Sequence, residues 1–377
     1  MAGDHKNALD ALAAKGRLRT LTAAGGFDFT SNDYLALAQS PKLRQAVAEA
    51  LARGVPVGAG GSRLLRGNHP EHEALEAEAA AFFGADGALF FPTGFAANAA
   101  IAATLPRRQD LILHDALIHA SFRDGLDPAR VATIQTPHND VTAMEDAIMT
   151  WRAQGGRGQV WIAAETLYSM DGDRAPLEDL SALAARHDAV LLLDEAHATG
   201  VYGPQGRGLA AGLEGRDNVI TLHTCGKALG AMGALVLLPR TLRDFMINRS
   251  SSFIYSTAPS PLIAASVRAA LRLAAGAEQE RTRLRALVAH AGEAMRTKLG
   301  LEASGSQIQP ILVGRDARAV ALADALQARG YDIRAIRPPT VPEGTARLRI
   351  ALTLHADTKL LDALFADLAA VLETSPA

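Results

Sequence analysis

The chain has 377 residues, 38 Lys and Arg against 40 Asp and Glu, and a hydrophobic content of 49%. That near-balance, with no block of like charge, gives no footprint for nucleic acid or an anionic membrane, so small molecules are the expected partners. The length points to two domains. The single cysteine, Cys225, excludes an internal disulfide and a cysteine-based metal cage.

In chain order, MAGDHKNALDALAAKGRLR opens with a helical pattern and lacks the apolar core of a signal peptide. No run approaches the roughly 18 apolar residues of a spanning helix. A cytoplasmic location is expected, with no membrane partner. GGFDFTSNDYLAL reads as a short strand entering a turn. SPKLRQAVAEALARG is predicted to be a helix capped by Ser40, with Pro41 at its first position and Gly54 at its end. A Gly-rich stretch, VGAGGSRLLRGNHPEHEALE, follows. Apolar runs of strand length then alternate with helical patterns: GALFF before FAANAAIAATL, LILHD before the His119 segment, then VWIAAE, AVLLLDE, VITLHT and ALVLL. Such alternation predicts a parallel α/β sheet covered on both faces, with ligands gathering where its strands end. After a long helical stretch from PSPLIAAS to TKLG come IQPILVG, a helix over ARAVALADALQARG, YDIRAI, ARLRIALT and a last helix. They read as a smaller α+β domain. The expected division is an N-terminal segment 1–39, a large domain 40–275 and a small domain 276–377.

Polar residues at the ends of the apolar runs carry the chemistry. AVLLL ends in DEAHATG, with Asp194 and His197; TLHTCGKALG places Lys227 among small residues just before ALVLL. An acid ending a buried parallel strand and a lysine on a neighbouring loop suit pyridoxal phosphate, whose Schiff base needs the amine and whose pyridine nitrogen needs the acid. DEAH also occurs in ATP-dependent helicases, but they require an earlier GxxxxGK[ST] loop. Here Thr221 and Ala228 replace the first glycine and the hydroxyl residue around Lys227. GAGGSR has Arg63 at the last glycine position of a dinucleotide fingerprint and no strand before it. The histidines never fall into HExxH or a comparable spacing, so no metal site is expected. Thr93, Gly94 and Phe95 follow GALFF at a helix start, where backbone N–H groups hold phosphate, although an ordinary turn also uses glycine. His119 in LIHAS could stack on a cofactor or simply pack. Ser169 in ETLYSMDGD stands where a strand gives way to a loop.

Taken together, TGFAAN, the His119 segment, SMDGD, DEAHATG and TCGKALG have the order and spacing of the fold-type I pyridoxal phosphate enzymes, and the chain resembles the α-oxoamine synthases from Thr30 to its last strand. The resemblance implies a large domain with a mostly parallel seven-stranded sheet covered by helices, plus the smaller C-terminal domain. It assigns Lys227 as the covalent cofactor lysine and Cα base, Asp194 to the pyridine nitrogen, His197 to the phenolic oxygen and His119 to the ring face. Gly94, Phe95, Ser169 and Thr224 match the remaining cofactor contacts. Arg349 matches the position holding the amino-acid carboxylate. Arg19, Arg337 and Thr340 match or adjoin substrate-contacting positions, Arg19 and Arg337 being otherwise ordinary surface arginines. The segment AIRPPTVPEGTARLRIALT looks like that of members joining L-alanine to pimeloyl-CoA or a pimeloyl carrier protein at the opening of biotin ring assembly, with release of the thiol and CO2. Sister activities use glycine or serine with other acyl-CoA thioesters, and a non-catalytic cofactor binder is the alternative of a different class. The resemblance also implies a homodimer with its site at the interface, reached by Ser256 and Thr257. Thr93 for a frequent serine, Ala198 for a common glycine and a less Gly-rich GAMGALVL are its small departures.

Overall fold

The computed structural model describes residues 2–374. The elements run α1 (Ala2–Ala14), β1 (Phe27–Asp28), α2 (Pro41–Ala52), α3 (Pro70–Phe83), β2 (Gly87–Phe91), α4 (Gly94–Thr104), β3 (Leu111–Asp115), α5 (Ala120–Ala129), β4 (Ala132–Thr136), α6 (Val141–Ala153), β5 (Val160–Glu165), α7 (Leu177–His187), β6 (Val190–Asp194), β7 (Val219–Thr224) and β8 (Ala234–Leu238). There follow α8 (Arg240–Arg249), α9 (Ser251–Ile254), α10 (Pro261–Ala275), α11 (Glu278–Ala294), β9 (Ile308–Gly314), α12 (Asp316–Gln327), β10 (Tyr331–Asp332), β11 (Ala335–Ile336), β12 (Ala346–Ala351) and α13 (Thr358–Thr374). No helix among the described residues is long and apolar enough to cross a membrane.

Two compact units emerge. One comprises residues 35–169 and 174–281; the other joins the N-terminal residues up to Tyr34 and the segment Met170–Asp173 to the chain from Thr282 onward. The first holds the expected mostly parallel sheet, in the order β2-β8-β7-β6-β5-β3-β4, with β8 antiparallel to both its neighbours. Every residue of β2, β3, β5, β7 and β8 is buried, as a sheet covered on both faces demands. Side chains alternate between the two faces. Trp161, Ala163, Leu192, Ile220 and Leu222 pack with Ala97, Ala100 and Ile101 of α4 in one layer. Val160, Ile162, Leu191, Leu193 and Val219 pack with Met144 of α6 and Leu180 and Leu183 of α7 in the other. The expected Ser40 cap is absent: Pro41 begins α2, but the Ser40 side chain makes no capping hydrogen bond. Proline's preset φ at the first helical position starts the helix without it.

The second unit contains the three-stranded antiparallel sheet β11-β12-β9 and the parallel pair β1-β10. YDIRAI, read as one strand, is two short strands in different sheets. Its first half pairs with Phe27 and Asp28, from the far end of the sequence.

Helices α4 and α5 approach closely in the first unit because residue 125 has no side chain. A Cβ at Gly125 would lie 2.7 Å from the Ala99 carbonyl oxygen and 2.9 Å from the Ala102 Cβ. Gly125→Ala is therefore expected to cost about 1–3 kcal/mol through overpacking, measured as a lower urea midpoint with an unchanged slope.

Candidate active site

The parallel strands deliver their carboxyl ends to one edge of the first unit, and the polar residues singled out from the sequence follow those ends. Gly94 and Phe95 open α4 just after β2; His119 caps α5 after β3; Ser169 follows β5; Asp194 ends β6 with His197 close behind; Thr224 ends β7. Lys227 occupies the connection from β7 to β8. That connection is closed by hydrogen bonds from the Cys225 N–H to the Gly233 carbonyl at 2.8 Å and from the Ala231 N–H to the Cys225 carbonyl at 2.9 Å. Gly230 turns it with φ +63°, and a Cβ there would fall 2.3 Å from the backbone nitrogen of Ala38. Only glycine serves at such a position. Cys225 is fully buried, and burial pushes its thiol pKa well up.

Strand alternation decides which groups meet. Glu165 lies two residues beyond Ala163, Asp194 two beyond Leu192 and Thr224 two beyond Leu222, so all three face the α4 layer. Asp194 is met there by Asn98 of α4, whose Nδ2 donates to Oδ2 at 2.7 Å; Oδ1 accepts from the Ala196 N–H at 2.8 Å. Asn98 Nδ2 also reaches Ser121 Oγ at 3.1 Å, and Ser121 Oγ lies 2.7 Å from His119 Nδ1. Lys227 Nζ is 2.7 Å from His197 Nε2. His119 keeps an exposed outer edge, yet the protein packed around its ring holds the imidazole below its ordinary pKa. Asp194 opposes that shift, and Lys227 and Arg123 reinforce it.

In the sequence Glu165 is only the end of the apolar run VWIAAE. It pairs in register with Asp194 across β5 and β6 and is almost wholly buried. One oxygen accepts the Ser169 N–H at 3.1 Å, whereas the other, Oε1, has no hydrogen-bond partner. Burial first, then the Asp194 charge, pushes its pKa up to about 8, against the pull of Lys227 and Ser169. Period-two alternation applied to VWIAAE beside AVLLLD carries the signal for this pair of acids. Asn98 and Ser121, which tie Asp194 to His119, give no such signal within FAANAA and HAS.

These residues suit pyridoxal phosphate. The amine of Lys227 and the carboxylate of Asp194 both act on His119 and on Glu165, so they share one electrostatic neighbourhood. At the start of α4, Thr93 Oγ1 accepts from the Ala96 N–H at 3.0 Å. The Gly94 and Phe95 N–H groups are the first-turn donors a helix cannot satisfy internally. A Cβ on Gly94 would stand 3.4 Å from Thr224 Oγ1, so the bare glycine leaves the threonine hydroxyl open beside the first-turn N–H groups.

In the second unit, Arg349 of β12 is nearly buried and donates through Nη2 to Asn32 Oδ1 at 3.0 Å. Its neighbour on the same face of β12, Arg347, pairs with Asp171 of the SMDGD segment. Arg19 Nη2 reaches Thr340 Oγ1 at 3.4 Å on the surface, and Arg337 donates to the Gly16 carbonyl. Arg19, Arg337 and Thr340 thus gather around one exposed stretch of that unit, with Arg349 held separately on the strand.

The class I and II aminotransferase family profile matches residues 24–365. A protein of Anaeromyxobacter dehalogenans strain 2CP-1 described as 8-amino-7-oxononanoate synthase is 41% identical, with 98% of this chain and 95% of that protein covered. The chain belongs to the 8-amino-7-oxononanoate synthase family of the class I and II aminotransferases. A solved 8-amino-7-oxononanoate synthase from Francisella tularensis superposes with a TM-score of 0.79 at 26% identity, covering 92% of this chain and 98% of that one. The serine palmitoyltransferase of Sphingomonas wittichii superposes with a TM-score of 0.85 at 27% identity, covering 92% and 88%. Solved chains similar to this one are described with PLP bound. Pyridoxal phosphate is the cofactor of this 8-amino-7-oxononanoate synthase family member, and the enzyme is an acyltransferase of fold type I.

Glu165 gives a pH test. Folding raises its pKa from the ordinary 4.5 to about 8, so the folded chain holds a proton that the unfolded chain releases between those values. Its stabilising contribution is fully present below about 4.5 and is lost as pH rises through about 8. Glu195, pushed up to about 7 by burial, slopes the same way and cancels between variants. Glu165→Gln should therefore gain urea stability relative to the parent, both cofactor-free, as pH is raised from about 6 to about 9. Parallel curves would remove Glu165 as the titrating group.

Proposed function

We propose that this enzyme joins L-alanine to a pimeloyl thioester, carried by CoA or by a carrier protein, releasing the thiol and CO2 and forming 8-amino-7-oxononanoate. Alanine that loses its carboxyl carbon adds two carbons to the seven of pimelate, which makes the nonanoate chain. The observation that carries the reading is the half-buried Lys227 amine against the buried His197, with the buried Asp194 ending the neighbouring strand, supported by relatives of that activity over nearly the whole chain.

Lys227 would hold pyridoxal phosphate through its amine, with Asp194 at the pyridine nitrogen, His197 at the phenolic oxygen and His119 against the ring. Gly94, Phe95 and Thr224 would hold the phosphate, and Ser169 would complete the set. When bound, the cofactor supplies an electron sink for negative charge at the amino-acid Cα. The chain's own groups do the rest. Lys227 Nζ takes the alanine Cα proton and later returns one to the product, a transfer that needs an amine placed within hydrogen-bond reach. His197, 2.7 Å from that amine, fixes its direction. Asn98 and the Ala196 N–H fix the Asp194 carboxylate. Arg349 receives the alanine carboxylate through its planar fork. One of Arg19 and Arg337 receives the distal carboxylate of pimelate, and Thr340 contacts the substrate beside them. An enzyme drawing on these thioesters works in the cytoplasm.

Its functional form is a homodimer. Within the first unit, Val57, Leu65 and Tyr255 are exposed at 68%, 81% and 85%. The Gly-rich loop bearing the first two is tied to the Tyr255 segment by a 2.9 Å hydrogen bond from the Ala258 N–H to the Gly61 carbonyl and by Arg63 over the Phe253 ring. Large apolar side chains exposed on two segments tied together in this way suit an association face, and a second copy is its occupant. It also bears Ser256 and Thr257, which would reach the partner's phosphate. Replacing Leu65 and Tyr255 together by Asp should halve the sedimenting mass and reduce turnover; an unchanged mass would place the dimer face elsewhere.

The activity itself is tested by thiol release across alanine, glycine and serine, each with pimeloyl-, acetyl- and palmitoyl-CoA. Release confined to alanine with pimeloyl-CoA is expected, and release with glycine or serine instead would reassign the substrate. Lys227→Ala should lower that release by at least about 10³-fold and lose the cofactor on dialysis.

A further inference from the structure

The chain Asp194–Asn98–Ser121–His119 is built from groups that leave little freedom in their protons. A carboxylate oxygen accepts, so the Asn98 atom 2.7 Å from Asp194 Oδ2 is the amide nitrogen, and its second N–H points to Ser121 Oγ at 3.1 Å. Ser121 is fully buried. Its hydroxyl has one hydrogen to give; with Asn98 donating to the oxygen, that hydrogen goes to His119 Nδ1 at 2.7 Å. The Ser121 backbone N–H points at the same nitrogen, from 3.2 Å. Two donors on Nδ1 leave no room for a proton there.

We propose that Asn98 and Ser121 are positioning residues that hold His119 as the neutral imidazole with its proton on Nε2, and that they link this state to the carboxylate of Asp194. The proposal rests on the functional reading above. It makes the free edge of His119 a fixed N–H donor, able to hold a carbonyl or carboxylate oxygen of the substrate and unable to take a proton at Nδ1 without breaking two hydrogen bonds. A cation at His119 would require the Ser121 hydroxyl to turn round and would set its backbone N–H against the new Nδ1–H. Burial of the ring is the first cause that disfavours the cation; of the charged groups, Asp194 and then Asp124 favour it, while Lys227 and Arg123 disfavour it. Asn98 connects the two halves, because the amide that fills Ser121's acceptor site is the one that orients Asp194.

The test is nitrogen-15 NMR of the histidine rings in the cofactor-loaded enzyme, with His119→Gln assigning the signal. Near neutral pH the wild-type ring is expected as the Nε2–H tautomer. Ser121→Ala and Asn98→Ala should each raise its titration midpoint by about 0.5–1 pH unit, about three- to tenfold in proton affinity. The acid limb of the kcat profile should move with it, and a merely structural substitution would lower kcat without moving that limb. A wild-type ring protonated on Nδ1, or a midpoint unchanged in both variants, would overturn the proposal. The wild-type tautomer is read without any variant, so a misfolded Asn98→Ala protein cannot shelter it. If the wild-type enzyme releases no thiol from any substrate pair, the functional reading fails while the ring spectrum still decides the tautomer.

Discussion

A carboxylate at the end of a buried strand has to be met by hydrogen-bond donors, and the way this chain meets Asp194 organises the rest of its site. The strand is apolar over its length, so donors come from elsewhere: the Ala196 N–H from the turn just beyond, and Asn98 from α4. Placing Asn98 there fixes the rotation of α4, and with it the position of Gly94 and Phe95 at the helix start. The same amide passes a hydrogen bond to Ser121 and so to the cap of α5. The close approach of the two helices at Gly125 keeps this arrangement rigid. One polar contact in an otherwise apolar layer therefore aligns the acid, the start of α4 and the histidine.

The same burial explains the second acid. Two carboxylates on adjacent parallel strands, in register and on one face, cannot both be charged cheaply in a poorly hydrated interior. Asp194 is met by Asn98 and the Ala196 N–H, whereas Glu165 is met only by Ser169 and has one oxygen with no partner. Burial with so few donors pushes the Glu165 pKa up. The amine of Lys227, on the neighbouring loop, pulls the Glu165 pKa the other way.

Much of this was legible in the chain because six of the seven strands of the large sheet are short apolar runs and four of them, β3, β5, β6 and β7, end in a polar residue; β4, ATIQT, gives no such run. GALFF, LILHD, VWIAAE, AVLLLD, VITLHT and ALVLL all became strands, and the residues after them were the natural candidates. Asn98 stayed hidden because it sits inside an alanine-rich helix, where a polar residue normally faces water; only tertiary placement turns it toward Asp194. Glu165 gives no signal by itself, because an acid closing an apolar run reads as a strand end until the face it shares with Asp194 is fixed by the pairing of β5 with β6. The division of YDIRAI between two sheets depends on pairing with Phe27 and Asp28, a partner some three hundred positions away, which no local pattern announces. Ser40 shows the reverse case, a residue of the right type whose cap is made unnecessary by the proline after it.

Cys225 lies between Thr224 and the loop that bears Lys227, sealed at zero exposure with its thiol held in the unreactive form. As the only thiol of the chain, it gives the enzyme a built-in clock. A thiol reagent can reach the sulfur only when the loop between β7 and β8 opens. The labelling rate therefore counts openings of the segment that presents the lysine, separately from unfolding of the sheet beneath it.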